Sequence, residues 1–188
     1  RALDAVLRNA HAQNDLIADI LDAQRLAAGK LRLELAPLEL PDVLRGALDA
    51  VRPAAMAKQI ALEAHVAEAC PVSGDSDRLR QVFWNLLSNA VKFTPNGGAV
   101  SVATRCEEGR AIVSVTDTGP GIPPDLLPHI FERFRQADGS TTKNTGGLGL
   151  GLAIAKDLVE LHGGVITAAN RDDGVPGAVV RVSLPVRE

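Results

Sequence analysis

The stretch that decides the fold is TGGLGLGLAI, at residues 145–154. Four of its ten residues are glycine, and it passes directly into AKDLVELHGG, which has helical spacing. Each glycine in ordered structure costs roughly 0.5–1 kcal/mol relative to alanine, so flexibility alone explains four of them poorly. The amides at a helix N-terminus attract anions, and glycines let an anion approach the backbone closely. The stretch therefore predicts an anion-binding entrance to a helix over about 150–162.

Length and composition indicate one globular domain with an appendage. The chain has 188 residues, of which 46% are hydrophobic and 23% charged, and its net charge is −3. This charge offers no basic surface, so we expect no nucleic-acid partner. We also expect no membrane contact and a cytoplasmic location, although the parent protein could be membrane-anchored, because no apolar run reaches the roughly 18–20 residues that cross a bilayer. Cys70 and Cys106 lack CxxC spacing and predict two buried reduced thiols, with a disulfide as the alternative.

Hydrophobic periodicity predicts a mixture of helices and strands. The predicted helices lie over 2–27, over 42–58 after Pro41 with a kink or an end at Pro53, over 78–94 after Asp77, and over 150–162; the strands lie over 31–35, 60–66, 99–105, 111–116, 164–169 and 178–184. Helices and strands do not alternate regularly, which favours an α+β fold with helices on one face of a mostly antiparallel sheet. The apolar stripe of the first helix needs a helical partner, such as a two-helix hairpin that dimerises into a bundle.

Three polar residues share one face of the helix over 78–94. Asn85, Asn89 and Lys92 are spaced by four and three positions. Two carboxamides on an otherwise apolar helix need partners. One interpretation is that they cap or bridge neighbouring loops. The other is that an amide oxygen binds Mg²⁺, which shares its ligands with phosphates, while Lys92 offers positive charge one turn along.

The stretch DTGPGIP, at residues 117–123, follows a predicted strand. Gly119 and Gly121 permit a tight turn or the close approach of a flat ligand. Asp117 has two possible roles. On one interpretation, its side chain forms an Asx-turn with the backbone that follows. On the other, its carboxylate accepts a hydrogen bond from an exocyclic amine such as adenine N6, which would discriminate strongly between bases.

A polar segment separates these motifs from the glycine-rich run. Residues 136–147, QADGSTTKNTGG, contain many turn formers and few core residues, which predicts a mobile lid. Phe131 and Phe134, just before it, indicate a short helix that docks on the core. The chain lacks a GxxxxGK[ST] loop, a strand followed by GxGxxG, and the HRD and DFG motifs of protein kinases.

In their order and spacing, these stretches resemble the catalytic ATP-binding domain of sensor histidine kinases. DRLRQVFWNLLSNAVKFT resembles the N box, DTGPGIP the G1 box, IFERF the F box, GGLGLGLAI the G2 box and GAVVRVSLP the last strand. The first helix and the following GKLRLE are similar to the second helix of the dimerisation and phosphotransfer hairpin and its linker. The resemblance divides the chain into the hairpin helix at 1–29, a linker with a short strand at 30–41 and the catalytic domain at 42–188.

The resemblance implies a Bergerat-type (GHKL) α/β sandwich that binds ATP and Mg²⁺. It implies that Asn89 is the Mg²⁺ ligand and that Asn85 and Lys92 are catalytic. Asp117 would read adenine beside Phe93, and the glycine-rich run would close over the phosphates. The positions that the resemblance assigns to the nucleotide are Asn89, Lys92, Phe93, Asp117, Gly119, Gly121, Lys143, Gly147, Leu148, Gly149, Leu150 and Gly151.

Departures from the family pattern keep other functions open. Leu148 stands where many members carry Ser or Thr, and Gln136 where many carry Arg; Arg133, Arg135 or Lys143 are the candidates to replace that arginine. No histidine lies in a phosphoacceptor context, so we expect the acceptor upstream of residue 1.

The resemblance also implies a homodimer through the hairpin and a response-regulator receiver domain as partner. The alternatives are a GHKL-type ATPase, which would carry Glu at position 85 to activate water, and a nucleotide-binding module without turnover.

Overall fold

The computed structural model describes residues 13, 17–18, 20–135 and 148–187. Its helices are α1 (20–27), α2 (Leu40–Ala57), α3 (Ser76–Phe93) and α4 (Gly151–Leu161); its strands are β1 (Ala36–Glu39), β2 (Ala61–His65), β3 (Pro71–Gly74), β4 (Ala99–Glu107), β5 (Arg110–Asp117), β6 (Val165–Asn170) and β7 (Ala178–Pro185). A short 3-10 turn spans Leu127–His129. Residues 13 and 17–18 are also helical, and the other positions of the helix predicted over 2–27 that precede residue 20, including His11, lie outside the described residues.

The main sheet has five strands in the order β2-β4-β5-β7-β6. β2 pairs with β4 in parallel, and the other three pairings are antiparallel. Buried positions alternate along β4 and β5, so one face of the sheet meets the apolar sides of α2, α3 and α4. The predicted α+β fold, with a mostly antiparallel sheet, is thereby confirmed.

A hydrogen-bond network fixes the start of α3. The side chain of Asp75 accepts hydrogen bonds from the backbone amides of Asp77 at 3.2 Å and Arg78 at 3.1 Å, which makes it the N-cap residue. The amide of Glu34 also donates to this carboxylate, at 3.1 Å. The backbone amide of Asp75 donates to Nε2 of the buried His162 at 3.0 Å, so the start of α3 is joined to the end of α4.

A lysine stabilises the other end of α3. Lys58 follows α2, and its Nζ donates to the carbonyl oxygens of Val91 at 2.7 Å, Lys92 at 2.9 Å and Thr94. These acceptors belong to the last turn of the helix, whose carbonyls have no partner within the helix itself. A positive charge there also complements the helix dipole. Both ends of α3 are therefore held by side chains from other elements.

The prediction of a strand over 31–35 was wrong. Those residues form no strand; the strand is β1, and it pairs antiparallel with β3, which the sequence did not predict. The alternation of LRLEL matches a strand, but no described strand pairs with it, whereas Ala36 lies opposite Gly74. The two-stranded sheet tolerates Pro37, because proline is accommodated in strands that have a free edge. Helix α2 continues past Pro53 to Ala57, so this proline does not end it.

The prediction of two buried reduced thiols was also wrong. Cys70 and Cys106 form a disulfide, with their Cα atoms 6.0 Å apart, a separation typical of such bridges. Cys70 is fully buried, whereas Cys106 is exposed near the end of β4. The pairing depends on how the segment before β3 meets β4, which residue spacing does not reveal.

Helix α1 contacts the N-terminal part of α3 through a polar cluster. The buried carboxylate of Asp22 accepts hydrogen bonds from Arg78 and Gln81, each at 2.8 Å. Gly29 follows the helix with φ +61°, as predicted for a helix stop. Among the described residues, no helix has both the length and the apolar character needed to cross a membrane.

Candidate functional site

The face of α3 that carries Asn85 meets the start of α4. Asn85 is 3% exposed, and within the described part of the chain its Nδ2 has no hydrogen-bond partner. A Cβ added at Gly151 would lie 3.2 Å from Asn85 Oδ1, so the first residue of α4 packs directly on this carboxamide. Unpaired buried amides are rare in folded proteins. The interpretation that Asn85 bridges neighbouring loops therefore has no support among the described residues.

Asn89 and Lys92 continue the same face and are half-buried. Burial lowers the pKa of Lys92. Its Nζ lies 5.0 Å from the centroid of the Phe93 ring, within range of a cation–π interaction. Phe93 itself is 56% exposed at the end of α3, which leaves its ring available to a ligand. The face thus runs from a buried carboxamide to a half-buried cation and an exposed aromatic ring.

Asp117 ends β5 and is half-buried. Its Oδ1 accepts hydrogen bonds from the backbone amides of Gly119 at 2.8 Å and Ala178 at 3.3 Å. The first bond is the predicted Asx-turn, and both bonds go to one oxygen, so Oδ2 has no hydrogen bond within the described residues. Burial raises the pKa of Asp117, although these two bonds and the nearby Arg171 act to lower it. The turn and a role for Oδ2 in ligand recognition are therefore compatible.

The loop after Asp117 packs against the end of α3. A Cβ added at Gly119 would lie 3.0 Å from the Phe93 carbonyl oxygen and 2.8 Å from Asp117 Oδ1. Any side chain at Gly119 would push the two segments apart. The structure therefore brings Asp117, Gly119 and Phe93 together, beside the face that carries Lys92 and Asn89.

The second half of the glycine-rich run packs against the segment that follows the F box. Gly149 has φ +69°, and a Cβ there would lie 2.7 Å from the Arg135 carbonyl oxygen. Its own carbonyl accepts a hydrogen bond from the amide of Phe134 at 3.0 Å. Leu148 is 38% exposed, whereas the side chain of Leu150 is buried in the core, so only the backbone of Leu150 is available to a ligand.

Two other predictions for this region have different outcomes. Lys143, Gly147 and the predicted lid over 136–147 lie outside the described residues. Phe131 is partly buried against the core, whereas Phe134 is 68% exposed with φ +63°, so the two rings do not face one way on a short helix.

Sequence reasoning missed the residues that support the Asp117 loop from the far edge of the sheet. The side chain of Asn170 bonds to both backbone groups of Ile122, and Gly177 lies against the backbone of Asp117. The one available signal was Gly177, a glycine immediately before the last predicted strand. Asn170 carried no local signal, because its partner is 48 residues away.

The residues of this site fit a nucleotide with a divalent cation. The buried amide of Asn85 can donate to an oxygen, the Asn89 carboxamide oxygen is a suitable ligand for Mg²⁺, and Asp117 Oδ2 can accept from an amine. No cluster of three or more His, Cys, Asp or Glu side chains occurs among the residues that the structure describes. A Mg²⁺ ion that takes most of its ligands from phosphates and water suits this donor set.

Comparisons with known proteins agree with this architecture. Residues 74–188 match the family described as histidine kinase-, DNA gyrase B- and HSP90-like ATPase. The hybrid signal transduction histidine kinase D of Dictyostelium discoideum is 40% identical over 193 residues, which cover 98% of this chain and 12% of that protein. The structure of full-length ShkA in complex with AMPPNP has a TM-score of 0.83 at 34% identity and covers 99% of this chain and 38% of that one. The histidine kinase ThkA in complex with the response regulator protein TrrA has a TM-score of 0.72 at 25% identity, over 93% of this chain and 49% of that one.

The chain belongs to the family of histidine kinase-, DNA gyrase B- and HSP90-like ATPases. Within that family its similarity is to histidine kinases, so the resemblance to their catalytic ATP-binding domain and the GHKL-type fold are confirmed. The chain spans 12% of the Dictyostelium relative and less than half of the ShkA and ThkA chains.

Proposed function

We propose that this chain is the Mg·ATP-binding catalytic part of a sensor histidine kinase. It transfers the γ-phosphoryl group of ATP to a histidine on the helical hairpin, from which the group is relayed to an aspartate of a response regulator. The observation that carries the proposal is the buried amide of Asn85, which packs against the first residue of α4 and has no partner among the described residues, with Asp117 and Phe93 grouped at the end of α3.

Each part of the site has a role in this proposal. Asn89 ligates Mg²⁺, which, when bound, neutralises charge on the triphosphate. Lys92 adds a fixed positive charge near the same phosphates, and its burial strengthens that interaction. Asp117 selects adenine through Oδ2, beside the exposed ring of Phe93, while Gly119 and Gly121 let the loop pack closely against Phe93 and Asn170. The N-terminus of α4 would hold the phosphates through Gly151 and the backbone of Leu148, Gly149 and Leu150. Lys143 and Gly147, which lie outside the described residues, are proposed to bind the same phosphates.

Position 85 distinguishes kinase from ATPase chemistry. An ATPase of this family needs a base to activate water, and a carboxamide cannot accept a proton at neutral pH. Asn85 therefore disfavours hydrolysis and leaves a positioned histidine as the nucleophile. His65 and His129 are exposed, and His162 is buried with both ring nitrogens hydrogen-bonded, so none of the three stands in the site.

Two partners follow from the proposal. ThkA forms a complex with a response regulator, and we propose a receiver domain as the partner of this chain also. We propose that the intact protein forms a homodimer through the hairpin to which α1 belongs. The contact of Asp22 with Arg78 and Gln81 is consistent with a hairpin helix that lies close to the catalytic domain.

The assignment of Asn89 is tested by calorimetry of ATP binding with and without Mg²⁺. The wild-type chain should bind more tightly with Mg²⁺, and Asn89→Ala should remove most of that difference because the ion loses a protein ligand. Asn96→Ala, at an exposed asparagine beyond the end of α3, is the matched control. An unchanged effect of Mg²⁺ in Asn89→Ala would refute the assignment.

A further inference from the structure

Thr118, which follows Asp117, is hydrogen-bonded to Ala99 of β4. Beyond it, residues 119–123 have one hydrogen-bonded attachment to a distant element within the described residues. Asn170 is the last residue of β6, one of the two edge strands of the five-stranded sheet. Its Oδ1 accepts a hydrogen bond from the amide of Ile122 at 2.6 Å, and its Nδ2 donates to the carbonyl of Ile122 at 2.8 Å. One carboxamide thus satisfies both backbone groups of one loop residue.

We call the two hydrogen bonds between Asn170 and Ile122 the clamp. Within the part of the chain that the structure describes, the clamp is the only hydrogen-bonded connection from residues 119–123 to another strand or helix. The amide of Gly119 bonds to Asp117 itself, and the carbonyl of Pro123 accepts from the local amides of Leu126 and Leu127. A loop with two glycines has many accessible conformations, so a single attachment restricts it strongly.

The loop lies directly on the Asn170 side chain. Gly121 has φ +80°, and a Cβ there would lie 2.9 Å from Asn170 Oδ1. The connection that begins after Asn170 also supports the strand end: a Cβ at Gly177 would lie 1.9 Å from the Asp117 carbonyl oxygen, and the amide of Ala178 donates to Asp117 Oδ1. The β6–β7 connection therefore contacts the loop at one point and Asp117 at another.

We propose that Asn170 is a positioning residue for base selection, which holds residues 119–123 so that Asp117 and the loop present a fixed adenine pocket. This inference rests on the proposed reading of adenine by Asp117. Only a carboxamide carries the required donor and acceptor together, because an aspartate at this position cannot donate to the Ile122 carbonyl and a serine cannot span both groups.

The test compares the wild-type chain with Asn170→Ala, Asn170→Asp and, as a control, Asp172→Ala at an exposed neighbour in the same connection. Calorimetry measures the Kd of Mg·ATP and of Mg·purine riboside triphosphate, which lacks the exocyclic amine. In both Asn170 variants, the ratio of the Kd of Mg·purine riboside triphosphate to the Kd of Mg·ATP should fall about five- to tenfold. The Tm should change little, because Asn170 is exposed. Asp172→Ala should keep the wild-type preference.

The outcomes separate the two proposals. Equal Kd values for the two nucleotides in the wild-type chain would refute the proposed recognition of adenine by Asp117. Wild-type discrimination that survives in both Asn170 variants, or equal weakening of both nucleotides, would overturn the positioning role of Asn170. Hydrogen exchange of the Ile122 amide in the wild-type chain provides a check that needs no variant: the clamp requires slow exchange, and exchange at the rate of an unbonded amide would overturn it.

Discussion

Replacing Asp117 by asparagine should exchange the base preference of the site without unfolding the protein. Oδ1 of Asp117 accepts from the amides of Gly119 and Ala178, and the carboxamide oxygen of an asparagine can do the same. The position of Oδ2 would then carry an NH₂ group. That group faces the adenine amine as donor against donor, whereas it can donate to the oxygen that inosine carries in place of the amine.

The magnitude follows from the burial of the carboxylate. A hydrogen bond to a charged group contributes about 1.5–3 kcal/mol, so ATP affinity should fall roughly 10- to 150-fold in Asp117→Asn. Affinity for inosine triphosphate should rise, because the inosine oxygen, a hydrogen-bond acceptor, would face an NH₂ donor instead of the Asp117 carboxylate, which is also an acceptor. Stability should be nearly unchanged: burial raises the pKa of Asp117, which means that the ionised form is unfavourable in the folded state and its removal loses little.

Calorimetry with Mg·ATP and Mg·inosine triphosphate, together with urea denaturation, measures all three quantities. Asp125→Asn, at an exposed carboxylate further along the same loop, is the control and should behave as wild type. Because the ionised carboxylate is the acceptor and its pKa is raised, wild-type affinity for ATP should also fall as the pH is lowered towards that pKa, and this dependence should be absent in Asp117→Asn. Equal ATP affinity in wild type and Asp117→Asn at neutral pH would refute the assignment of Asp117.

Two further predictions concern stability. Burial lowers the pKa of His162, and its Nε2 must stay unprotonated to accept the hydrogen bond from the Asp75 amide. The folded state therefore binds fewer protons than the unfolded state. The free energy of unfolding that His162 contributes should be fully present above the ordinary pKa of 6.5 and should fall as the pH drops below it. Urea denaturation between pH 7.5 and 5.5 should show this loss, and His162→Asn should show a smaller dependence on pH; an equal dependence would contradict the role of His162. Asp75→Ala removes the N-cap of α3 and should cost about 1–2 kcal/mol of unfolding free energy, whereas Asp77→Ala in the exposed first turn should cost less than about 0.5 kcal/mol. If the two variants were equally stable, the capping role would be refuted.

The elements that the sequence predicted well are those whose pattern is local. α3 and β5 carry strong 3.6- and 2-residue periodicities, and their observed bounds lie within about two residues of the expected ones. The face of α3 that carries Asn85 and Asn89 could also be predicted, because helical spacing alone places residues four apart on one side. The structure then supplied what spacing could not, namely that Gly151 packs on Asn85.

The features that were missed depend on contacts between distant residues. β1 is a strand because it pairs with β3, where Ala36 lies opposite Gly74. The disulfide forms because the fold brings Cys70 next to Cys106. Lys58 gave no local sign that it would reach the end of α3. Such contacts form only once the whole chain has folded. The chemistry of one residue indicates that it needs a hydrogen-bond or pairing partner, but it does not identify which residue that partner is.

The glycine-rich run has two physical explanations, and the structure separates them by position. A side chain at Gly149 would meet the backbone of Arg135, and one at Gly151 would meet the carboxamide of Asn85. These two glycines therefore have a packing role whether or not an anion is bound. The proposed approach of a phosphate would in addition explain why the same backbone starts a helix beside a buried amide that has no partner among the described residues. Close packing at the run is what places the N-terminus of α4 next to α3. In the proposed phosphate site, the glycines would therefore bring the two helices together as well as leave room for the ligand.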